Sequence, residues 1–328
     1  MMNKNNDNKH RHRYPIGIER TIDFGLDDVD VANDQVAGSE EPVAKSGETP
    51  VMGFSYISFG SGSSGNCSYV GNENGGVLVD AGIDTNIVFE TLLHNGVKPT
   101  MVKGIVLTHD HLDHVRYVYN MVRKYKHLRV YCTPRLLNGL LRRHDISKRI
   151  KEYQENIFKE IPFKLAGMTL TAFETSHDGT DNMGYDIELG GKHFVVAADM
   201  GVITPRAHNY MSKANFLMME CNYDLTMLNN GFYPEYLKSR VRGDKGHLDN
   251  KVAAQFLVDN YHEGLKYVFM CHLSKDNNTP DVARNTLITA LNERGLSVGD
   301  ASNEPDQRDR DIQVYALPRF VPSLWFVL

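Results

Sequence analysis

The sequence has few of the features that mark disulfide-bonded, membrane or strongly basic proteins. Only four cysteines occur in 328 residues, none in a CxxC pair, so neither a disulfide framework nor a zinc ribbon is expected. No run of about 18 apolar residues occurs, and the first residues are mostly Asn, Lys, His and Arg, so we predict neither a membrane span nor a signal peptide. The net charge of −5 excludes a protein that is basic overall. We expect a cytoplasmic protein of enzyme size.

The first fifty residues differ from the rest in composition. A basic arm that contains Lys4, Lys9 and Arg11 is followed by an acidic segment that is poor in aromatic residues. Such a segment buries too little apolar surface to fold alone, so we predict a flexible extension over residues 1–50 and a folded domain over residues 51–328. The basic arm could contact nucleic acid, but a solvated tail is the simpler explanation.

A dense group of metal-binding residue types follows the apolar stretch of residues 104–107. Residues two apart on an extended segment point to the same side, so His109 and His111 can bind one metal ion. If the chain then turns into a helix, Asp113 and His114 diverge and can face a second ion. Charged and imidazole groups packed this densely after a buried strand are costly unless a metal coordinates them. We therefore favour a metal site over a polar loop that happens to be rich in histidine.

This His-x-His-x-Asp-His pattern resembles the signature of the metallo-β-lactamase superfamily of hydrolases. The resemblance implies further ligands at strand ends, and candidates occur in the order that the superfamily uses. His177 would complete three histidines at the first metal, Asp199 would bridge both metals, and His272 would be the last ligand of the second. Three more residues are expected to orient these ligands: Asp80, Thr108 and Ser176. The sequence leaves open whether Asp80 and Asp199 are instead helix caps or turn residues.

Strands alternate with helices from residue 54 onward. Apolar runs predict strands over residues 54–59, 67–70, 77–79, 105–107, 130–132, 168–173, 184–188, 193–197, 216–220 and 266–270. Apolar spacing predicts helices over residues 85–93, 113–125, 135–141, 234–239, 250–261 and 281–293. The pattern alone supports only an α/β or α+β protein. The resemblance implies the α+β class, with a four-layered αββα sandwich of the metallo-β-lactamase type and a dinuclear metal site at one edge between the two sheets.

The predicted ligand set is that of a two-metal hydrolase. Two ions about 3.5 to 4 Å apart can share a bridging water and lower its pKa, which yields a hydroxide nucleophile at neutral pH. The electrophile would be a carbonyl or a phosphorus atom, so the ligands predict hydrolysis without naming the bond. Asp113 is a candidate catalytic residue, because it can bind a metal and also take a proton from the incoming water. His and Asp ligands suit zinc, manganese and iron.

Two segments bear on the substrate. The Gly/Ser loop of residues 59–68 can present N–H groups and hydroxyls to an anion, with Ser63 and Asn66 as candidate contacts, although a plain hairpin turn explains it as well. Residues 239–250 place cations before a helix that Asp249 or Asn250 would cap, which suits a phosphate. Candidate contacts there are Arg240, Arg242, Lys245 and Asn250. His247 is the second candidate catalytic residue, since it can protonate a leaving group, but a role in capping local structure is equally consistent.

These loops narrow the resemblance within the superfamily. The chain is similar to the YycJ (WalJ) group of bacterial proteins in Ser-Phe-Gly-Ser-Gly-Ser-Ser-Gly-Asn from Ser58, Glu-Cys-Asn-Tyr-Asp from Glu220, Gly-His-Leu from Gly246 and His-Leu-Ser from His272. The group implies a DNA exonuclease with a proposed link to mismatch repair, and hence DNA and repair or replication proteins as partners. Asp249 departs from the group's pattern, in which Ser is expected.

Our leading hypothesis is a dinuclear metal-dependent phosphodiesterase that acts on DNA, with a 5′–3′ exonuclease as its expected form. A hydrolase of a small ester, thioester, lactone or cyclic phosphodiester is the alternative among enzymes. A non-catalytic binding module in DNA repair is the second alternative, although a degenerate site would be expected to have lost some of its ligands.

Overall fold

The computed structural model describes residues 53–302 and 304–328, and these residues form two mixed β-sheets. The predicted extension over residues 1–50 lies outside the described residues. The strands are β1 (Ser55–Gly60), β2 (Cys67–Asn72), β3 (Gly75–Val79), β4 (Val102–Val106), β5 (Val130–Cys132), β6 (Gln154–Asn156), β7 (Phe163–Leu165), β8 (Met168–Glu174), β9 (Met183–Leu189), β10 (Lys192–Ala197), β11 (Phe216–Glu220), β12 (Tyr267–Cys271), β13 (Val298–Gly299), β14 (Ile312–Ala316) and β15 (Phe326–Val327). The first sheet has the order β15-β1-β2-β3-β4-β5-β6, and the second has the order β13-β14-β12-β11-β10-β9-β8-β7.

Helices connect the strands and cover the sheets. The α-helices of the described residues are α1 (Thr85–His94), α2 (Leu112–Val115), α3 (Val118–Lys124), α4 (Pro134–Arg143), α5 (Pro205–Met211), α6 (Leu225–Asn230), α7 (Glu235–Arg242), α8 (Asn250–Asn260), α9 (Pro280–Glu293) and α10 (Pro305–Arg308). Thr133, Thr204 and Thr279 cap three of them, each followed by a proline that cannot donate a backbone hydrogen bond and needs none at this position. In the described part of the chain, no helix is long and apolar enough to cross a membrane.

Aromatic side chains fill the space between the two sheets. The ring of Tyr56 on β1 lies 4.9 Å from that of Phe194 on β10 and 4.5 Å from that of Phe269 on β12, between centroids. Side chains alternate across β11, so Phe216 packs in this layer while Leu217 belongs to the apolar cluster that includes α8 and α9. The predicted α+β sandwich of two sheets and outer helices is confirmed.

The predicted helix over residues 113–125 is wrong as a single element, because the chain forms two short helices, α2 and α3. Other partners use the backbone groups that would continue α2. The carbonyl oxygen of Asp113 accepts from the N–H of Asn66, and the N–H of Tyr117 donates to the carbonyl oxygen of Ala81. The break therefore hydrogen-bonds the His-x-His-x-Asp-His segment to the loop after β1 and to the segment after β3.

All the predicted strands occur, with ends that differ by a few residues. The sequence analysis missed the elements with the weakest patterns: β6, β7, β13, β14, β15, α5, α6 and α10. The strand β14 is the most consequential of these, because it pairs parallel with both β12 and β13 and buries Ile312 and Val314. Its pattern extends over only five residues, which is too short to distinguish it from a loop.

Candidate metal centre

The seven predicted metal ligands meet at one edge between the two sheets. They follow β4, β8, β10 and β12, so each lies beyond the carboxyl end of a strand. Their side chains form sets of three or four residues in which the possible metal-donor atoms lie within 4.8 Å of one another. Two of these sets divide six of the residues: His109, His111 and His177 in one, and Asp113, His114 and His272 in the other.

Asp199 lies between the two sets. Its Oδ2 is 3.7 Å from Nε2 of His109 and 3.6 Å from Nε2 of His177, which belong to the first set. The same oxygen is 3.5 Å from Nε2 of His114 and 3.6 Å from Nε2 of His272, which belong to the second. One carboxylate oxygen thus faces histidine nitrogens of both sets, as a ligand shared between two ions must.

The polar atoms of this cluster test whether metal ions suit it. Nε2 of His109 and Oδ1 of Asp199 are buried, and neither has a hydrogen-bond partner among the described residues. Such buried atoms are rare in folded proteins and usually have a ligand or ion to explain them. Imidazole and carboxylate donors are also those that divalent zinc and manganese accept. The residues therefore fit two divalent ions.

Asp80 and Thr108 make the contacts predicted for residues that orient ligands. Oδ1 of Asp80 accepts from the backbone N–H of Thr108 at 2.8 Å, and Oδ2 accepts from the Thr108 hydroxyl at 2.8 Å. Oδ2 also accepts from Nδ1 of His114 at 2.7 Å. The proton of His114 is therefore on Nδ1, which leaves Nε2 for a metal.

The other predicted orienting residue, Ser176, contacts no ligand directly. Its hydroxyl donates to the carbonyl oxygen of Asp244 at 2.7 Å, which holds the end of β8 against the loop that precedes α8. That loop in turn orients a ligand, because Nδ1 of His177 donates to the carbonyl oxygen of Gly246 at 2.8 Å. The ring of His111 is positioned by Asp178, because its Nε2 lies 3.1 Å from Oδ1 of that residue.

Sequence reasoning missed Glu220 as a site residue. This fully buried carboxylate accepts from Nδ1 of His247 at 2.6 Å and from Nδ1 of His272 at 3.1 Å. Its other oxygen accepts from the backbone N–H groups of Met200 and Leu248. A signal was present, because Glu220 ends an apolar strand just as Asp80 and Asp199 follow theirs.

Three residues at these strand ends have left-handed backbones. The φ angles are 62° at Asp80, 47° at Asp199 and 54° at His272. Residues other than glycine rarely adopt this conformation. The side chains of the site are therefore aimed by a backbone turn that regular strand geometry does not provide.

The charges of the cluster are strongly coupled. Burial and the nearby imidazoles lower the pKa of His109 well below its usual value, so this ring is neutral, as metal binding requires. Burial also works against a charged His272, yet Asp199, Asp113 and Glu220 together raise its pKa to about 10. Without a metal, the carboxylates are thus balanced by protons on histidine, and metal cations would replace those protons.

A cavity of about 220 Å³ opens beside the ligands. Buried His177 and His272 line it, together with His247, Ser63 and Arg240. Two of the predicted substrate contacts and one candidate catalytic residue therefore reach the same space. Nε and one terminal nitrogen of Arg240 donate to Oδ2 of the neighbouring Asp178, at 2.9 and 2.7 Å.

The remaining predicted substrate contacts lie elsewhere. Arg242 donates to Glu235 at the start of α7, and Lys245 lines a second cavity that shares only His177 with the first. Asn250 is buried and hydrogen-bonded to Asn278, while Nδ2 of Asn66 lies among the ligands, 2.9 Å from Nε2 of His114. These placements do not support Arg242 and Asn250 as substrate contacts.

The predicted phosphate position at the start of α8 is already filled. Asp249 is the N-cap, and its Oδ1 accepts from the backbone N–H of Lys251 at 2.6 Å. A carboxylate at this point repels a phosphate and satisfies a donor that a phosphate would need. Of the two candidate caps, the structure selects Asp249 over Asn250.

Arg319 is a second residue of the cavity that sequence reasoning missed. It lies in the segment that returns from β14 in the second sheet to β15 in the first. Its terminal nitrogens donate to the Ser63 hydroxyl at 3.2 Å and to the carbonyl oxygen of Leu273. No local motif marked this residue, because only the path of the chain between the sheets brings it to the cavity.

Comparison with known proteins agrees with this geometry. Residues 76–268 match the family model described as the beta-lactamase superfamily domain. The chain is 32% identical over 251 residues to the exodeoxyribonuclease YycJ of Bacillus anthracis, which covers 76% of this chain and 94% of that protein. It is 30% identical over 249 residues to the exodeoxyribonuclease WalJ of Streptococcus pneumoniae serotype 2, with coverage of 76% and 92%.

A solved structure shows the same fold at much lower identity. The metallo-beta-lactamase fold protein YhfI from Bacillus subtilis superposes with a TM-score of 0.58 at 14% sequence identity, over 84% of this chain and 100% of that one. The matched family model, the two relatives and the shared fold lead to one assignment. The chain belongs to the metallo-β-lactamase superfamily of metal-dependent hydrolases, in its YycJ-like group.

Proposed function

We propose that this hydrolase is a dinuclear phosphodiesterase that removes nucleotides from the end of a DNA strand, with 5′–3′ polarity. The observation that carries the proposal is the position of Asp199, whose one oxygen lies within 3.5 to 3.7 Å of a nitrogen of four histidines. Support for DNA comes from the two exodeoxyribonucleases, which are similar to this chain over more than 90% of their own length.

Seven residues would hold the two ions: His109, His111 and His177 at the first, Asp113, His114 and His272 at the second, and Asp199 at both. Zinc and manganese are the metals we expect. When bound, two divalent ions activate a water molecule and offset the negative charge of the phosphate during displacement. Asp80, Thr108 and Glu220 hold the histidines in the tautomers that such ions need.

The chain's own residues would move the protons. Although burial raises it, His114 and His272 lower the pKa of Asp113 to about 2, so this carboxylate is ionised and could accept a proton from the attacking water. His247 is bonded through Nδ1 to Glu220, which leaves Nε2 as the nitrogen available to the cavity. Although burial lowers it, the contact with Glu220 raises the pKa of His247, which favours a protonated ring that can donate to the leaving oxygen.

The cavity suits the end of a charged chain. Arg240 and Arg319 both line it, and guanidinium groups are the usual partners of phosphate oxygens. The overall charge of −5 does not oppose this, because binding depends on the charge of the groove and not on that of the whole protein.

Degradation of end-labelled DNA with added zinc or manganese tests the proposal. We expect 5′-labelled strands to release labelled mononucleotides first and His111→Ala to abolish the reaction. The matched control is His127→Ala, since His127 is an exposed histidine that bonds the carbonyl oxygen of Pro99 before β4, whereas the ligands follow the other end of that strand. Intact DNA alongside hydrolysis of a small ester, thioester, lactone or cyclic phosphodiester would refute the proposal. Fewer than two ions per chain and no hydrolysis would favour a binding module.

A further inference from the structure

One carboxylate lies between the first set of metal ligands and the cavity. Asp178 follows the ligand His177 directly and lines the cavity, as Arg240 does. Its Oδ1 lies 3.1 Å from Nε2 of His111. Its Oδ2 accepts from Nε and one terminal nitrogen of Arg240, at 2.9 and 2.7 Å. Each oxygen of Asp178 therefore serves a different part of the site, one a proposed metal ligand and the other a cation of the cavity.

The contact with His111 bears on which nitrogen of that ring can bind a metal. Nδ1 of His111 faces another ligand of its set, 3.3 Å from Nε2 of His177. A ring that binds a metal through Nδ1 carries its proton on Nε2, where the Asp178 oxygen lies. That buried oxygen receives no hydrogen bond from any other described group, and such oxygens are rare. An N–H on Nε2 of His111 supplies the donor, so Asp178 favours the tautomer that metal binding needs.

The contact with Arg240 sets the direction of its guanidinium group. An exposed arginine side chain has many rotamers and must be ordered before it can bind a substrate in one geometry. Two of its nitrogens donate to the same oxygen, so Asp178 holds one edge of the planar group. The terminal nitrogen that does not donate to Asp178 is left for a phosphate oxygen, the usual partner of a guanidinium group.

The backbone around Asp178 is itself fastened to the metal-binding motif. Arg143 of α4 donates to the carbonyl oxygen of Asp178 at 3.3 Å, and its Nε lies 3.5 Å from Oδ2 of Asp110. Asp110 is fully buried inside the His-x-His pair, and its Oδ1 accepts from the backbone N–H of Thr180 at 2.9 Å. The segment after β8 is thus tied at two points to the His-x-His pair. The place of Asp178 beside His111 therefore depends on more than the carboxylate contact.

We propose that Asp178 is a positioning residue that orients His111 for the first ion and Arg240 for a phosphate group of the substrate. The inference rests on the proposed function, because a phosphodiester substrate is what gives Arg240 its partner. Since one carboxylate serves both side chains, metal binding and alignment of the substrate depend on the same residue. Neither effect requires Asp178 to touch the reacting atoms.

Metal affinity tests the contact with His111 without turnover. In competition with a chromophoric chelator, we expect Asp178→Ala to bind zinc about 10- to 100-fold more weakly, the usual effect of losing an orienting partner. Arg240→Ala should not weaken zinc binding, because it leaves the contact with His111 in place. The matched control is Glu235→Ala, which removes a carboxylate paired with another arginine of α7, Arg242. This control should bind zinc as the wild type does.

Hydrolysis of end-labelled DNA at saturating metal tests the contact with Arg240. We expect Asp178→Ala to lower kcat about 10- to 100-fold without raising KM, because a loosely held guanidinium misaligns the phosphate while the removed carboxylate no longer repels it. Arg240→Ala should lower kcat by a similar factor and also raise KM, since the phosphate loses a donor. In the double variant, kcat should fall no further than in Arg240→Ala, because a positioning residue acts through its partner.

Asp178→Asn separates positioning from a purely structural role. Asparagine keeps the shape of the side chain but has one acceptor oxygen where His111 and Arg240 both donate. This variant should therefore retain at most one of the two properties, zinc affinity and kcat at saturating metal, and retention of both would overturn the proposal. So would unchanged zinc affinity in Asp178→Ala, or a kcat loss in the double variant equal to the product of the two single losses.

The proposed function has a separate readout, the hydrolysis of bis(4-nitrophenyl) phosphate and of DNA by the metal-loaded wild type. A wild type that hydrolyses neither would refute the phosphodiesterase and with it the role of Arg240. The zinc affinity of Asp178→Ala would then still decide whether the carboxylate orients His111. Hydrolysis by the wild type, with zinc affinity and kcat unchanged in Asp178→Ala, would refute the positioning role alone.

Discussion

Replacing Glu220 with glutamine tests whether this carboxylate orients His247 and His272. One carboxylate oxygen serves Nδ1 of His247 and Nδ1 of His272, and the other serves the backbone N–H groups of Met200 and Leu248. Glutamine has the same shape but can accept on one side only. The backbone donors cannot change, so the amide oxygen is expected to face them and the NH₂ group to face the two histidines.

Both histidines must then accept at Nδ1, which moves their protons to Nε2. For His272 this is the nitrogen that faces Asp113 and Asp199, so its role as a ligand is lost or weakened. Loss of an orienting partner typically lowers metal affinity by about 10- to 100-fold. His247 also loses the carboxylate that favours its protonated form, and proton donation contributes about 10²- to 10⁴-fold to a rate.

A metal titration of DNA hydrolysis distinguishes the loss of metal affinity from the loss of proton donation by His247. We expect the metal concentration at half-maximal rate to rise about 10- to 100-fold, and the rate at saturating metal to stay about 10²- to 10⁴-fold below wild type. Glu90→Gln on the exposed face of α1 is the matched control and should behave as wild type. A Glu220→Gln variant with both values within twofold of wild type would refute the reasoning.

Four further perturbations follow from the structure. Asp80→Asn removes the acceptor for His114 and should lower metal affinity about 10- to 100-fold in competition with a chromophoric chelator; unchanged affinity would contradict the orienting role. Removal of metal with EDTA should lower the Tm, and zinc or manganese at about 100 times its Kd should raise the free energy of unfolding by about 2.7 kcal/mol. A Tm that responds to neither treatment would argue against bound ions. Tyr185→Phe leaves the buried carbonyl of Leu107 without its donor, so urea unfolding should show a loss of about 1 to 3 kcal/mol, and a neutral result would mean that another donor replaces it. Asp249→Ala should lower the free energy of unfolding by about 1 kcal/mol, measured with urea, and Asp249→Ser should lower it less. Equal losses in the two variants would argue against the role of Asp249 as N-cap.

The first ligands were predictable from local pattern, because His109 and His111 are two residues apart on an extended segment that follows the apolar strand β4. His177, Asp199 and His272 were found because the resemblance to the superfamily implied ligands beyond the ends of later strands. Glu220 obeys the same rule at the end of β11. It was missed because it belongs to no metal-binding motif, although the strand-end argument alone would have found it.

The substrate side was much less predictable. Arg240 and Arg242 are two residues apart in the sequence, but on a helix this separation directs them to different faces. One reaches the cavity and the other pairs with Glu235. Arg319 depends on a crossing between sheets that local sequence does not encode, because it joins a five-residue strand to a two-residue strand.

The left-handed backbones of Asp80, Asp199 and His272 have a consequence for engineering this protein. Each such conformation costs of order 1 to 3 kcal/mol in a residue other than glycine. Asparagine or glycine at these three positions would relieve that cost while removing the proposed ligands Asp199 and His272 and the orienting carboxylate of Asp80. A screen for heat resistance in metal-free buffer will therefore reward loss of these groups, and must be paired with a test of metal content at every round.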